Sequence, residues 1–277
     1  MDKERAYEIL DDTNGKYKNL FDSGNERFIT LPFWLRSHSN LLTKELEGKI
    51  RPHYNQYKRG TIIYVDFGVN IGSELSGGHF AIILNKKDSK KSSTLNVIPL
   101  TSKNKKHFLP IDKTIFDNAN NILQSELRNL ENDIRDKTKK IDQLVIEKNG
   151  LLEKARKGEH TLNNKLQEPK IGSEVDDLIR LEEELIEITK LITTIEIKID
   201  MIDKLVLEIK NDKKDLEQVY YKYSKYNKNT FACYKAIQNI SKLRVRKINK
   251  YDPSGNIKVD TNTLDKIDAK IIEEYTK

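Results

Sequence analysis

From Leu123 to Ile209 the apolar residues fall at alternating steps of three and four, and this periodicity decides what the middle of the chain can be. Leu123, Leu127, Leu130, Ile134, Ile141, Leu144 and Leu151 form a first series, with Lys137 and Lys148 at the positions that break it. A loop containing Gly158, Pro169 and Gly172 is expected next. The second series continues without a miss through Leu178, Leu181, Leu185, Ile188, Ile192, Ile195, Ile199, Ile202, Val206 and Ile209. Sustained heptads specify a coiled coil, so residues 112–227 are predicted to form an antiparallel helical hairpin. Its second arm, Leu178 to Leu216, would be roughly 58 Å long at about 1.5 Å per residue. The polar faces mix signs, as a solvated arm requires, and hold no chemistry of their own.

On both sides of this hairpin the texture is different. Residues 1–57 read as a helical extension, with Trp34 as a packing anchor. "RGTIIYVDFG" (59–68), "HFAIILN" (79–85) and "STLNVIPLTS" (93–102) are short β-rich runs between turn residues, and "FLPID" (108–112) is one more. Such runs indicate a small antiparallel sheet or barrel. β texture returns in "NTFACYKAIQNISKLRVRKIN" (229–249), followed by a closing helix from about Thr263 to Tyr275. The coiled coil therefore interrupts a β domain made of 58–111 and 228–277. A hairpin with adjacent ends is inserted at little entropic cost.

The charge is divided along the same lines. The chain carries +7 overall, but 112–227 is net −4, which leaves +11 on the flanks. Basic flanks predict an acidic or polyanionic partner, DNA binding being possible. The single cysteine, Cys233, excludes an internal disulfide and suits a reducing compartment. The N-terminus lacks the apolar core of a signal peptide, and no apolar run reaches the ~20 residues of a membrane helix. A cytoplasmic location is expected.

The stretch "GSELSGGHFAIILN" (72–85) opens as a polar glycine-bearing loop and ends as an apolar strand, a common way to hold reactive groups on a rigid support. Five scattered histidines and one cysteine show no metal-ligand spacing, and His53 and His107 read as surface residues. "KNKKH" (103–107) and "KLRVRKINK" (242–250), with Tyr234 and Tyr251 nearby, are basic clusters able to bind a phosphate backbone.

Taken in order, "RGTIIYVDFG", "GSELSGGHFAIILN" and "NVIPLTS", with "FACYKAIQNISKLRV" after the hairpin, resemble the MazF/PemK family of bacterial toxin endoribonucleases. The resemblance covers about 58–111 and 229–275. It implies an α+β chain with a small SH3-like β-barrel interrupted by the coiled-coil hairpin. It further implies cleavage of single-stranded RNA through attack of the ribose 2′-hydroxyl, with no metal and no other cofactor. The partners it implies are single-stranded RNA, a cognate antitoxin protein and a second copy of the chain.

Residue by residue, Glu74 matches the loop acid, and Thr101 with Ser102 matches the hydroxyl pair after the third strand. His79 stands where the family has arginine, so His79, Glu74, Thr101 and Ser102 are the expected catalytic set. Arg59, Ser73, Lys103, Lys105, Lys235, Gln238 and Arg244 are the expected RNA contacts. Lys235 aligns where an acid is common, and Gln238 where an arginine is. A second reading keeps the β domain as a non-catalytic binding module whose coiled coil recruits a partner.

Overall fold

The computed structural model describes residues 2–50, 52–106, 108–111, 114–167, 174–225 and 230–276. His107, Asp112, Pro169 and Gly172 lie outside these. The chain divides into two compact units, one made of 1–123 with 219–277 and the other of 124–218.

In the first unit the sheet has seven strands: β1 (Ile62–Asp66), β2 (Gly78–Ile83), β3 (Thr94–Thr101), β4 (Leu109–Pro110), β5 (Phe231–Ala232), β6 (Gln238–Ser241) and β7 (Val245–Arg246). The order is β4-β5-β3-β2-β1-β7, with β6 also on β3, and all of these pairs are antiparallel. Thr94–Val97 of β3 pair with β6, and Leu100–Thr101 pair with β5. The pairing path ends at β4 and β7 without joining, so among the described residues the sheet is open, where a closed SH3-like barrel was expected. β4, β5 and β7 are two residues each.

Both faces of the central strands are buried, which explains the near-continuous apolar runs. Ile63, Val65, Phe67, Ala81, Ile83, Leu95, Val97 and Ile240 make one cluster. On the other face Phe80 meets the ring of Tyr223 at 4.9 Å and that of Tyr64 at 5.2 Å. Tyr223 donates to Asp252 Oδ1 at 2.8 Å, and Asp252 also accepts from the backbone of Ile248 and Ser254.

Three helices accompany the sheet: α1 (Lys3–Asp22), α2 (Leu31–Leu46) and α5 (Thr261–Tyr275). Asp260 caps α5 by accepting from Thr263 N at 2.6 Å. Lys242 is buried with Asp88, 2.7 Å away, and donates also to the carbonyls of Asn55 and Ser89. Lys242, expected in a phosphate-binding run, is thus an internal tie. Its neighbour Arg246 bonds Ser37, and Lys247 bonds the Asp252 carbonyl.

The second unit is the predicted hairpin. It is built from α3 (Thr114–Gln167) and α4 (Glu174–Ser224), which pack together. α3 passes straight through Gly158, where a loop was expected. A Cβ there would come within 3.1 Å of Ile188, so the glycine allows close approach of the two helices.

The contact seam also differs from the expected one. On α4 the sheltered positions are Leu181, Glu184, Ile188, Leu191, Ile195, Lys198, Ile202, Leu205, Ile209 and Asp212. Leu178, Leu185, Ile192, Ile199 and Val206, read from the sequence as seam residues, are exposed. The polar seam positions pair across the hairpin: Lys198 with Glu147 at 2.6 Å, Glu184 with Lys165 through one carboxylate oxygen, and Asp212 with Lys137 at 3.6 Å. Lys137 also reaches Asp133 and Glu208. The break at Lys137 is therefore a seam position with charged partners opposite. Such polar layers fix register.

Candidate active site

The connection between β1 and β2 is tied shut at its root. Phe67 N donates to the Gly77 carbonyl at 2.9 Å, and Gly77 N to that of Gly68 at 2.6 Å. Inside it Asn70 acts as the hub: its side-chain amide donates to the carbonyls of Phe67 and Leu75, and its backbone N–H to Ser76 Oγ. The fold thereby spends its polar groups at the root and leaves Ser73 and Glu74 exposed at the tip.

Two helical segments far upstream brace this loop. The Arg27 guanidinium donates to the Asn70 carbonyl. Trp34 of α2 lies against Gly68, whose φ of +84° and missing Cβ make room for the indole. At the other edge Arg244 donates to the Phe67 carbonyl at 2.8 Å. Trp34 is thus a packing anchor, and what it anchors is the loop.

His79, at the start of β2, joins the loop to β3. Its Nδ1 lies 3.2 Å from the Leu100 carbonyl and its Nε2 3.1 Å from the Ser76 carbonyl. A neutral imidazole donates from one nitrogen only, so it satisfies one of these acceptors at a time. Burial lowers the proton affinity of the ring, and the charges of Lys222 and Lys103 push the same way, while the two carbonyl contacts oppose them.

Beside it Thr101 ends β3 with its side chain buried, accepting from Lys103 N at 3.2 Å. Ser102, Lys103 and Lys105 are exposed just beyond. Antiparallel register alone brings these residues together: β2 starts where β3 ends, with Ala81 opposite Pro99. One end of the sheet therefore gathers Ser73, Glu74, His79, Thr101, Ser102 and Lys103.

The other expected contacts are elsewhere or occupied. Arg59 sits at the opposite end of β1, bonded to the Leu84 carbonyl and paired with Asp268 of α5. Lys235 pairs with Glu274 at 2.5 Å. Gln238 faces Val97, four residues down β3 from Thr101. Arg244 braces the loop from behind.

Tyr64 and Lys222 are additions the sequence reading did not make. Lys222 Nζ donates to Tyr64 Oη at 2.9 Å and lies 4.6 Å from the centre of its ring. The Tyr64 hydroxyl occupies the space where a Gly78 Cβ would stand. The signal was present in "VYYKYSK" (219–225), an interleaving of tyrosine and lysine at the close of α4, but the helical period masked it. Together the site offers one exposed carboxylate, a half-buried imidazole and two cations. This set suits proton transfer and charge stabilisation at a phosphate.

Comparison with protein families matches residues 58–154 to the model described as "PemK-like, MazF-like toxin of type II toxin-antitoxin system". The matched stretch covers β1 to β4 and continues into α3. Comparison with curated proteins and with solved structures gives no match. Among the described residues no helix is long and apolar enough to cross a membrane.

Proposed function

Because the chain carries at 58–154 a domain of the PemK-like, MazF-like toxins of type II toxin-antitoxin systems, we propose that it is an endoribonuclease acting on single-stranded RNA. The observation that carries the reading is that Lys103 and Lys222 both act on His79, which pins the loop bearing Glu74 to β3.

In this mechanism Glu74 takes the proton of a ribose 2′-hydroxyl. The freed oxygen attacks the adjacent phosphorus, and the bond to the next nucleotide's 5′-oxygen breaks. The products are a 2′,3′-cyclic phosphate and a 5′-hydroxyl, the leaving oxygen taking a proton from water or from a site cation. Lys103 and Lys222 stabilise the charge that grows on the phosphorane oxygens, with the Ser102 hydroxyl as a further donor. His79 acts by position. Both ring nitrogens face carbonyls, and a proton-transfer role would require it to let go of one. A cognate antitoxin and the RNA itself are the partners this reading requires.

The test is cleavage of a long single-stranded RNA, in EDTA, with the ends mapped. Wild type is expected to leave cyclic-phosphate ends. Glu74→Gln is expected to lose about 10²–10⁴-fold, the usual span for a general base. Absence of cleavage at high enzyme concentration would instead favour a binding module. The observation on that side is Gln238 at the position where the family has arginine.

A further inference from the structure

Between α2 and the β7 edge of the sheet lies a cavity of about 220 Å³ that the mechanism does not use. Its apolar wall is Trp34, stacked on the His38 ring at 5.5 Å between centres, with Leu41, Leu42 and Leu243. Its polar wall is Asp66 at the end of β1, Arg244 just before β7, Arg246 within β7, and Glu45 exposed at the mouth. Asp66 and the two arginines are half-buried, yet among the described residues they form no ion pair with one another. Each is tied instead to a neutral group: Asp66 Oδ1 accepts from Gly68 N at 3.0 Å, Arg244 donates to the Phe67 carbonyl at 2.8 Å, and Arg246 donates to Ser37. Two cations and two carboxylates cancel, so the cavity has no net attraction for a phosphate. An aliphatic side chain would strand the polar wall without water. A neutral, planar ligand with both donors and acceptors satisfies both walls.

We propose that the cavity holds one unstacked guanine of the RNA, a role that rests on the RNA reading above. Unstacked bases are held by aromatic faces and by hydrogen bonds to their edges. Guanine presents the adjacent acceptors O6 and N7, which suit an arginine, beside the donors N1–H and the 2-amino group, which suit a carboxylate. No other common base sets two adjacent acceptors beside two adjacent donors. Each arginine has five N–H donors and spends only part of them within the protein, and Asp66 keeps Oδ2. The volume lies below the ~300–1,000 Å³ of sites for drug-sized ligands, as a pocket for a single base requires. Its place in the sheet agrees. Asp66 is opposite Gly78, the neighbour of His79, and Arg246 is opposite Tyr64, whose hydroxyl accepts from Lys222. Tyr64 thus links the cavity wall to the cation assigned to the phosphate. α2, Arg244 and Arg246 all lie outside the matched residues 58–154, so this pocket is an addition to the family domain.

Trp34 is the single tryptophan and reports filling of the cavity. Glu74→Gln protein is titrated with a short uridine-rich RNA carrying one guanine, and Trp34 fluorescence is followed. Quenching is expected, with binding about 5–150-fold tighter than for the same RNA with adenine, the span of one bidentate base contact. Inosine, which lacks the 2-amino group, is expected to weaken binding, and to make no difference once Asp66→Asn is added. Asn keeps the acceptor for Gly68 N. 7-Deazaguanine, which lacks N7, is expected to behave likewise against Arg246→Gln. Unmoved fluorescence at saturating RNA, no preference for guanine, or an inosine loss that persists in Asp66→Asn overturns the proposal. Free guanosine 5′-monophosphate binding more tightly than the RNA overturns it too, by making the cavity a nucleotide site. Cleavage in EDTA is scored separately on the chain with Glu74 intact. Guanine-selective binding without cleavage keeps the pocket and removes the nuclease, whereas cleavage without guanine preference removes the pocket alone.

Discussion

His79 stands between two opposed demands: burial beside lysines favours the neutral ring, and contact with two carbonyls favours the protonated one, burial being the larger. Its proton affinity is lowered in the folded chain, so the unfolded chain binds the proton more readily. The associated stability is complete above the ordinary value of 6.5 and is lost as pH falls from there through the depressed folded value. Urea titrations across this range are expected to show the loss in wild type and not in His79→Gln. His79→Ala is expected to slow cleavage by on the order of 10²-fold, the scale of a 1 Å misplacement. His79→Gln should recover much of it, with an unchanged pH–rate profile. A profile that loses a limb in the Gln variant would make His79 the proton donor after all.

Asp88 is the other residue of high consequence. Buried with Lys242, it also accepts from Tyr57 N at 2.9 Å. Asp88→Ala leaves a buried ammonium without its anion and is expected to cost about 3–5 kcal/mol in urea unfolding. Burial also pushes the Cys233 thiol up to about 11, so it should react slowly with thiol reagents in the native chain.

Elements were legible where a single period ruled. The apolar runs around Ile62, Phe80 and Val97 gave the central strands, and the closing helix starts within two residues of Thr263. Where two periods overlapped, the reading slipped. On α4 the heptad repeats of Leu181 and of Leu185 are both aliphatic, and the series through Leu178 and Leu185 alternates between them. Glu184, Lys198 and Asp212 looked like surface residues because their partners are 19, 51 and 75 positions away on α3. The site was legible to the same degree. Strand register made His79 and Thr101 neighbours, but nothing local linked Lys222 to Tyr64, or Arg27 to Asn70. At this scale Gly68 is the sharpest test. Gly68→Ala meets both a left-handed backbone, about 1–2 kcal/mol, and the Trp34 indole. It is expected to red-shift Trp34 fluorescence and weaken cleavage together.

At the scale of the molecule, the two units differ in what holds them. One depends on a sheet buried on both faces, the other on a two-helix seam with charged layers. Trp34 is the single tryptophan and reports on the first; ellipticity at 222 nm is dominated by α3 and α4. Thermal melts followed by the two signals are expected to give separate midpoints. Coincident curves would mean one cooperative unit.

The chain leaves the sheet after β4 and returns to it at β5, and these two strands are hydrogen-bonded partners, Leu109 opposite Ala232. Exit and entry are therefore a fixed port of one strand spacing, indifferent to what is plugged into it. An arm shortened or lengthened by seven residues in α3 and seven in α4 keeps the port and the seam while moving the tip by ~10 Å. The hairpin can thus be cut to measure within 124–218, provided that the foot of α4 keeps Lys222 on Tyr64 and Tyr223 on Asp252.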